Sequence, residues 1–247
     1  MRGDAGFPVR LRFTELGKVR FVSHRDVARA FERAFRIEEL PLAFTAGFSP
    51  RPKVSFGLAL SVGHESDAEY LDVELREPVD LGPLVPGLSA ALPEGIDVTG
   101  AVRLVDRAPA LQESVTEVEY RMSVAGADGV PVAEAELRAI AREALARAEL
   151  PVTRTRKGRE GVDDIRPVIH TLEVDRHDDD VVLLADLATR PRGARPREVL
   201  DALGAVGGLE LSEHRVRRTA QWIERVGARL EPLEADTFAP ALEARAS

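Results

Sequence analysis

Ser23-His-Arg-Asp-Val-Ala-Arg-Ala-Phe-Glu-Arg-Ala-Phe-Arg-Ile37, set behind the run Val9-Arg-Leu-Arg-Phe13, decides the first half of the fold. In the earlier run every second residue is apolar, the period of a half-buried strand. In the later one Val27, Ala30, Phe31, Ala34 and Phe35 recur at three and four residues, which gives a helix one buried face. Ser23 suits an N-cap, and Asp26 suits the positive first turn. The pattern predicts a helix over 24–37, with Pro41 stopping anything helical. Glu15 to Lys18 reads as a turn, and Val19 to Val22 as extended chain.

Working outward, Val54 to Val62 and Ala68 to Leu75 read as strands joined by the turn Gly63–Asp67. Leu81 to Leu92 reads as a helix weakened by Pro83, Pro86 and Gly87, and Ile96 to Leu104 as a closing strand. The order β-α-β-β-α-β is that of a ferredoxin-like fold. It then recurs, with a strand over 115–124 and a helix over 131–148 that has Pro131 in its first turn. Strand candidates follow at 152–156 and 164–174, a turn at 177–180 and a returning strand at 181–187. A helix over 196–203 and a strand over 215–223 complete the second half. The expectation is an α+β protein of two tandem ferredoxin-like units, residues 1–105 and 115–230. A linker joins them at 106–114, and an acidic flexible tail follows at 231–247.

Composition agrees and narrows the chemistry. A chain of 247 residues suits two units of about 100–150 residues. With no cysteine it holds no disulfide, thiolate zinc site, thiol nucleophile or cysteine-ligated iron–sulfur cluster. No run approaches the roughly 18–20 apolar residues of a membrane span, and Met1-Arg-Gly-Asp4 lacks a signal-peptide core, so cytoplasm is the expected compartment. No glycine-rich dinucleotide or phosphate loop and no nucleophile elbow occurs. The five histidines show no ligand spacing, so neither cofactor nor metal is expected.

Net charge is −8, but it is unevenly spread. From Lys18 to Lys53 eight cations face four anions. Arg25, Arg29 and Arg33 recur at four residues along the first helix, and guanidinium forks suit phosphates. A solvated helix face with a Glu32–Arg36 pair is the plain alternative. Next comes Thr45-Ala-Gly-Phe-Ser-Pro-Arg-Pro-Lys53, a loop stiffened by Pro50 and Pro52 around Arg51. Phe48 is a candidate stacking residue, Lys53 a further cation, and Gly57 a point where another chain or ligand approaches closely. His24 opens the helix and is the one catalytic candidate, as a general acid/base in RNA cleavage. A second basic cluster comprises Arg154, Arg156 and Lys157, with Arg166 following; Arg190 to Arg197 and Arg215 to Arg218 add more. Glu65, Asp67, Glu69, Asp72 and Glu74 read as acidic strand edges, with Glu69, Glu74 and their neighbours on a solvated face; paired carboxylates suited to catalysis are the alternative. Only three lysines occur, so many arginines reflect composition rather than function.

The runs Phe13-Thr-Glu-Leu-Gly-Lys-Val-Arg-Phe-Val-Ser-His-Arg-Asp26 and Gly47-Phe-Ser-Pro-Arg-Pro-Lys-Val-Ser-Phe-Gly57 resemble the radical-SAM-linked protein family. The resemblance is densest over 13–76 and looser to about 225. It implies a radical SAM enzyme as partner. Such an enzyme needs three cysteines for its cluster, which this chain lacks, so the resemblance implies an accessory role. A vaguer similarity of element order links the chain to repeat-associated RNA-processing proteins of CRISPR systems. The expected function is an accessory RNA-binding module for a radical SAM enzyme acting on tRNA or rRNA. The alternatives are a metal-independent endoribonuclease using His24 and a protein-only adaptor docking the partner.

Overall fold

The computed structural model describes residues 6–105, 108–126, 129–156, 158–177 and 180–237. The protein is α+β, with five α-helices among the described residues and strands paired mostly antiparallel. No helix among them is long and apolar enough to cross a membrane. The chain divides into two units. One holds residues up to Ala59, Glu69–Ser114 and the chain from Leu230 on; the other holds Leu60–Ala68 and Val115–Arg229.

The first unit runs β1 (Phe7–Glu15), a 3-10 turn (Gly17–Phe21), α1 (His24–Ile37), β2 (Val54–Phe56), β3 (Glu65–Leu75, of which residues 65–68 count with the other unit), α2 (Leu81–Ala91), β4 (Val98–Arg103) and α3 (Leu111–Ser114). Its strands stand in the order β4-β1-β3-β2. Val9, Leu11 and Phe13 of β1 and Leu71, Val73 and Leu75 of β3 are buried against Phe31 and Phe35 of α1 and Leu88 of α2. Ser23 caps α1 as expected, its hydroxyl accepting from the Asp26 N–H at 3.3 Å. Residues 17–21 form a 3-10 turn instead of extended chain, because Gly17 takes φ +68° and Val19 is buried. β2 is only three residues long, and β3 starts at Glu65, inside the expected turn. The stretch read as a linker carries α3, whose Leu111 and Ser114 are buried. The start of the tail is also bound: Tyr70 donates to Glu231, and Arg10 to the Pro232 carbonyl at 3.2 Å.

The second unit continues with β5 (Glu117–Gly126), α4 (Glu134–Ala146), β6 (Pro151–Arg156), β7 (Arg159–Asp164), β8 (Ile169–His177), β9 (Asp180–Ala188), α5 (Pro196–Gly207), β10 (Leu211–Arg225) and β11 (Ala228–Leu230). Its sheet has the order β10-β5-β9-β8, each pair antiparallel. Arg217 and Arg218 also pair in parallel with Glu65 and Ser66. β6 and β7 form a separate hairpin, so residues 159–164 return on β6 while β8 begins at Ile169. The single strand expected over 164–174 is divided: Asp164 ends β7, a 3-10 turn spans Arg166–Val168, and β8 starts at Ile169. Pro131 lies outside α4, in an isolated bridge to Ala125.

The acidic stretch corrects the sequence reading most sharply. Glu65 is fully buried and Glu69 nearly so. Glu65 accepts from Arg215 Nε at 2.8 Å and from Arg217 Nη2 at 2.9 Å. Asp72 holds the fully buried Arg10 through two bonds, at 2.7 and 2.9 Å. Buried charges persist only when paired in this way.

Candidate functional site

In the first unit, α1 and the chain entering β2 enclose an open groove of about 580 Å³. Arg25, Arg29 and Glu32 come from α1, and Arg51, Pro52 and Phe56 from the opposite side. The helix fixes which residues meet there. At about 100° per residue, Glu32 returns to within about 20° of Arg25, whereas Arg33 turns about 80° away. The expected Arg25-Arg29-Arg33 row therefore splits, and Arg33 is exposed outside the groove.

Phe56 makes the groove partly aromatic. Its ring packs edge-on against Phe31 at 5.9 Å and Phe13 at 6.3 Å, which ties the floor to the core. His24 lies over it at 5.0 Å, also edge-on, and makes no hydrogen bond or ion pair among the described residues.

The cations differ in what holds them. Arg29 pairs with Asp26 at 2.9 Å on the surface. The Ser23 hydroxyl and then Arg29 hold the Asp26 carboxyl below its ordinary range. The guanidinia of Arg25, Arg33 and Arg51 make no hydrogen bond or ion pair among the described residues. Lys53 is tied to Glu74 at 2.9 Å and faces solvent beside the groove.

Arg51 stands at the foot of a closed loop. The Thr45 N–H donates to the Arg51 carbonyl at 2.9 Å, and the Arg51 N–H to the Thr45 hydroxyl at 3.1 Å. Gly47 at φ +129° makes the turn at its tip. Phe48, next to it, is completely exposed. Gly57 does permit a close approach, but of the chain itself: its N–H donates to the Tyr70 carbonyl at 2.9 Å.

The second unit's candidates fall in other places. Arg154 grips both oxygens of Glu198 at 2.8 and 2.7 Å and also reaches Asp163 at 3.1 Å. It locks the middle of β6 to the start of α5. Arg166 donates to the Leu145 carbonyl at 2.9 Å and the Ile169 carbonyl at 3.0 Å, capping the end of α4. Both brace the fold through these bonds, and Arg154 also lines an open groove with Arg192 and Arg195. Arg156 ends β6 at the hairpin turn, and Lys157 lies outside the described residues.

Sequence reading missed two groupings. Glu32 and Pro52 belong to the groove, and the helical period alone places Glu32 there. Glu117, His170 and Asp186 bring potential ligand atoms within 4.8 Å of one another on three strands. Arg229 already pairs with Glu117 and Asp186, at 2.9 and 2.8 Å.

No curated protein matches the sequence. Among solved structures the chain is similar to a Cbf5–Nop10–Gar1 complex, at 15% identity and TM-score 0.46, over 88% of this chain and 50% of that one. It is also similar to an archaeal box H/ACA sRNP Nop10–Cbf5 complex, at 12% identity and TM-score 0.42, over 87% and 47%. The chain spans about half the length of both. Likeness at this level carries no argument about what the chain does. A family profile covers residues 9–196, and the chain belongs to that family, described as an uncharacterized protein conserved in bacteria (DUF2344).

Proposed function

We propose that the protein is an accessory RNA-binding module that works in the cytoplasm with a separate radical SAM enzyme in tRNA or rRNA modification or processing. The observation that carries this reading is the groove of the first unit. Guanidinia from Arg25, Arg29 and Arg51 surround an aromatic floor, beside a closed loop that presents Phe48 wholly to solvent. Guanidinium groups neutralise phosphates, and aromatic rings stack on unpaired bases, so the combination suits single-stranded RNA. Pro50 and Pro52 lower the entropy lost when Arg51 engages a ligand.

The same reading takes both units as ferredoxin-like. In support, β3 stands between β1 and β2, and β9 between β5 and β8, as in a split βαβ arrangement. The β6–β7 hairpin is then an insertion. The radical SAM partner rests on the resemblance, densest over residues 13–76, to the radical-SAM-linked family. Without cysteine, this chain leaves any cluster chemistry to such a partner. Holding is favoured over cleaving, since general acid/base catalysis needs a second positioned group and His24 is bonded to none among the described residues.

Isolating the native protein at low salt, then identifying the RNA and proteins that accompany it, tests both halves. RNA together with a radical SAM enzyme is the expected result. The enzyme without RNA supports the adaptor reading instead, and recovery of neither RNA nor a radical SAM enzyme refutes the proposal.

A further inference from the structure

We infer that Glu32 determines which nucleic acid the groove accepts, by taking a hydrogen bond from an O–H or N–H donor on the bound nucleotide. The inference rests on the RNA reading of the same groove. Its basis is an oddity of charge. The groove is lined by three guanidinia and a single carboxylate. The Glu32 carboxylate is exposed and makes no hydrogen bond or ion pair among the described residues. Arg29 and Arg36 lie three and four residues away, within reach along a helix, yet neither holds it. The other carboxylate in this part of α1 behaves differently: Asp26 is taken up by Ser23 and Arg29.

An uncompensated carboxylate repels every phosphate the groove would hold, so it costs affinity for any polyanion. A ligand offsets that cost only by bringing a donor, because an ionised carboxylate is purely an acceptor. Nucleotides present such donors on the ribose 2′-hydroxyl and on the N–H groups of the bases, of which the exocyclic amino group is the one that cytosine has and uracil lacks. Glu32 lies two helical turns from Arg25, so a strand whose phosphate meets Arg25 or Arg29 passes sugars and bases along the same face. Arg25, Arg29 and Arg51 then supply affinity, and Glu32 supplies choice.

The test measures binding of short single-stranded oligo(rC), oligo(rU) and oligo(dC) to the full chain and to Glu32→Ala and Glu32→Gln. Unfolding midpoints of both variants serve as the control for folding. In Glu32→Ala, the ligand that lacks the donor is expected to bind more tightly: oligo(dC) if the donor is the 2′-hydroxyl, oligo(rU) if it is the base amino group. The preference for oligo(rC) over oligo(dC), or over oligo(rU), is expected to fall about tenfold, the worth of one charge-assisted hydrogen bond. Glu32→Gln, which keeps a carbonyl acceptor, retains part of that preference. A fall against oligo(dC) assigns the 2′-hydroxyl, and a fall against oligo(rU) assigns the base amino group. Equal tightening of all three ligands, with both ratios unchanged, overturns the inference and leaves RNA binding intact. Failure of the wild-type chain to bind any RNA overturns the RNA reading itself and the inference with it.

Discussion

Replacing Arg154 with alanine separates a brace from a ligand contact. Arg154 and Glu198 are 16% and 17% exposed, and the guanidinium fork meets both carboxylate oxygens. Losing a bidentate, largely buried pair costs about 2 kcal/mol, below the figure for a fully buried one because some solvent reaches it. Trp222, the only tryptophan, lies in the same unit, so its fluorescence reports this unit's unfolding. With a urea dependence of about 1.5 kcal/mol per molar, the midpoint should fall by roughly 1.3 M at constant slope. The effect has a pH signature. Burial pushes the Glu198 carboxyl up, but bonds from Arg154 and the Arg195 backbone outweigh it and hold it below the ordinary 4.5. A lowered carboxyl stabilises the fold above its unfolded value, and that stability is lost as pH falls through the folded one. The gap between wild type and variant should therefore be constant above about pH 5.5 and narrow below 4.5. An unchanged midpoint together with weakened RNA binding would refute the brace and make Arg154 a contact.

The buried Arg10–Asp72 pair predicts an asymmetry: Asp72→Ala strands a fully buried guanidinium and should cost about 3–5 kcal/mol. Combining it with Arg10→Met should recover much of that loss in denaturant titrations followed by circular dichroism, whereas additive losses would contradict the pairing. Phe48→Ala removes a side chain that is wholly exposed, so the midpoint should stay within about 0.5 kcal/mol of wild type. Single-stranded RNA affinity should drop by about 1–3 kcal/mol in fluorescence anisotropy, and unaltered affinity would remove Phe48 as a stacking residue.

The parts of the fold legible in sequence were those set by local period and local chemistry. The Ser23 cap, the buried face of α1 and the alternation of β1 follow from neighbouring residues alone. What escaped depends on distant partners. Glu65 looks like a surface acid until β10 brings Arg215 and Arg217 beside it, 150 and 152 residues away. Arg154 looks like a phosphate contact until Glu198 of α5 closes on it. The stretch over 164–174 is divided because Asp164 closes the β6–β7 hairpin opposite Pro151 and a 3-10 turn separates it from β8. The groove was half legible. Its arginines and its proline-stiffened loop stand out, but Glu32 enters only when the 100° helical step is followed for seven residues.

The central claim is that Arg25, Arg29 and Arg51 hold RNA through its phosphates, and salt dependence tests it most directly. Three contacts to single-stranded RNA give a plot of log affinity against log salt with a slope of about −2, at about 0.7 per phosphate. Arg51→Ala should reduce its magnitude by about 0.7, and the triple alanine variant should bring it close to zero. A slope that stays the same in the triple variant would contradict the account and place the RNA, if it binds, elsewhere on the chain.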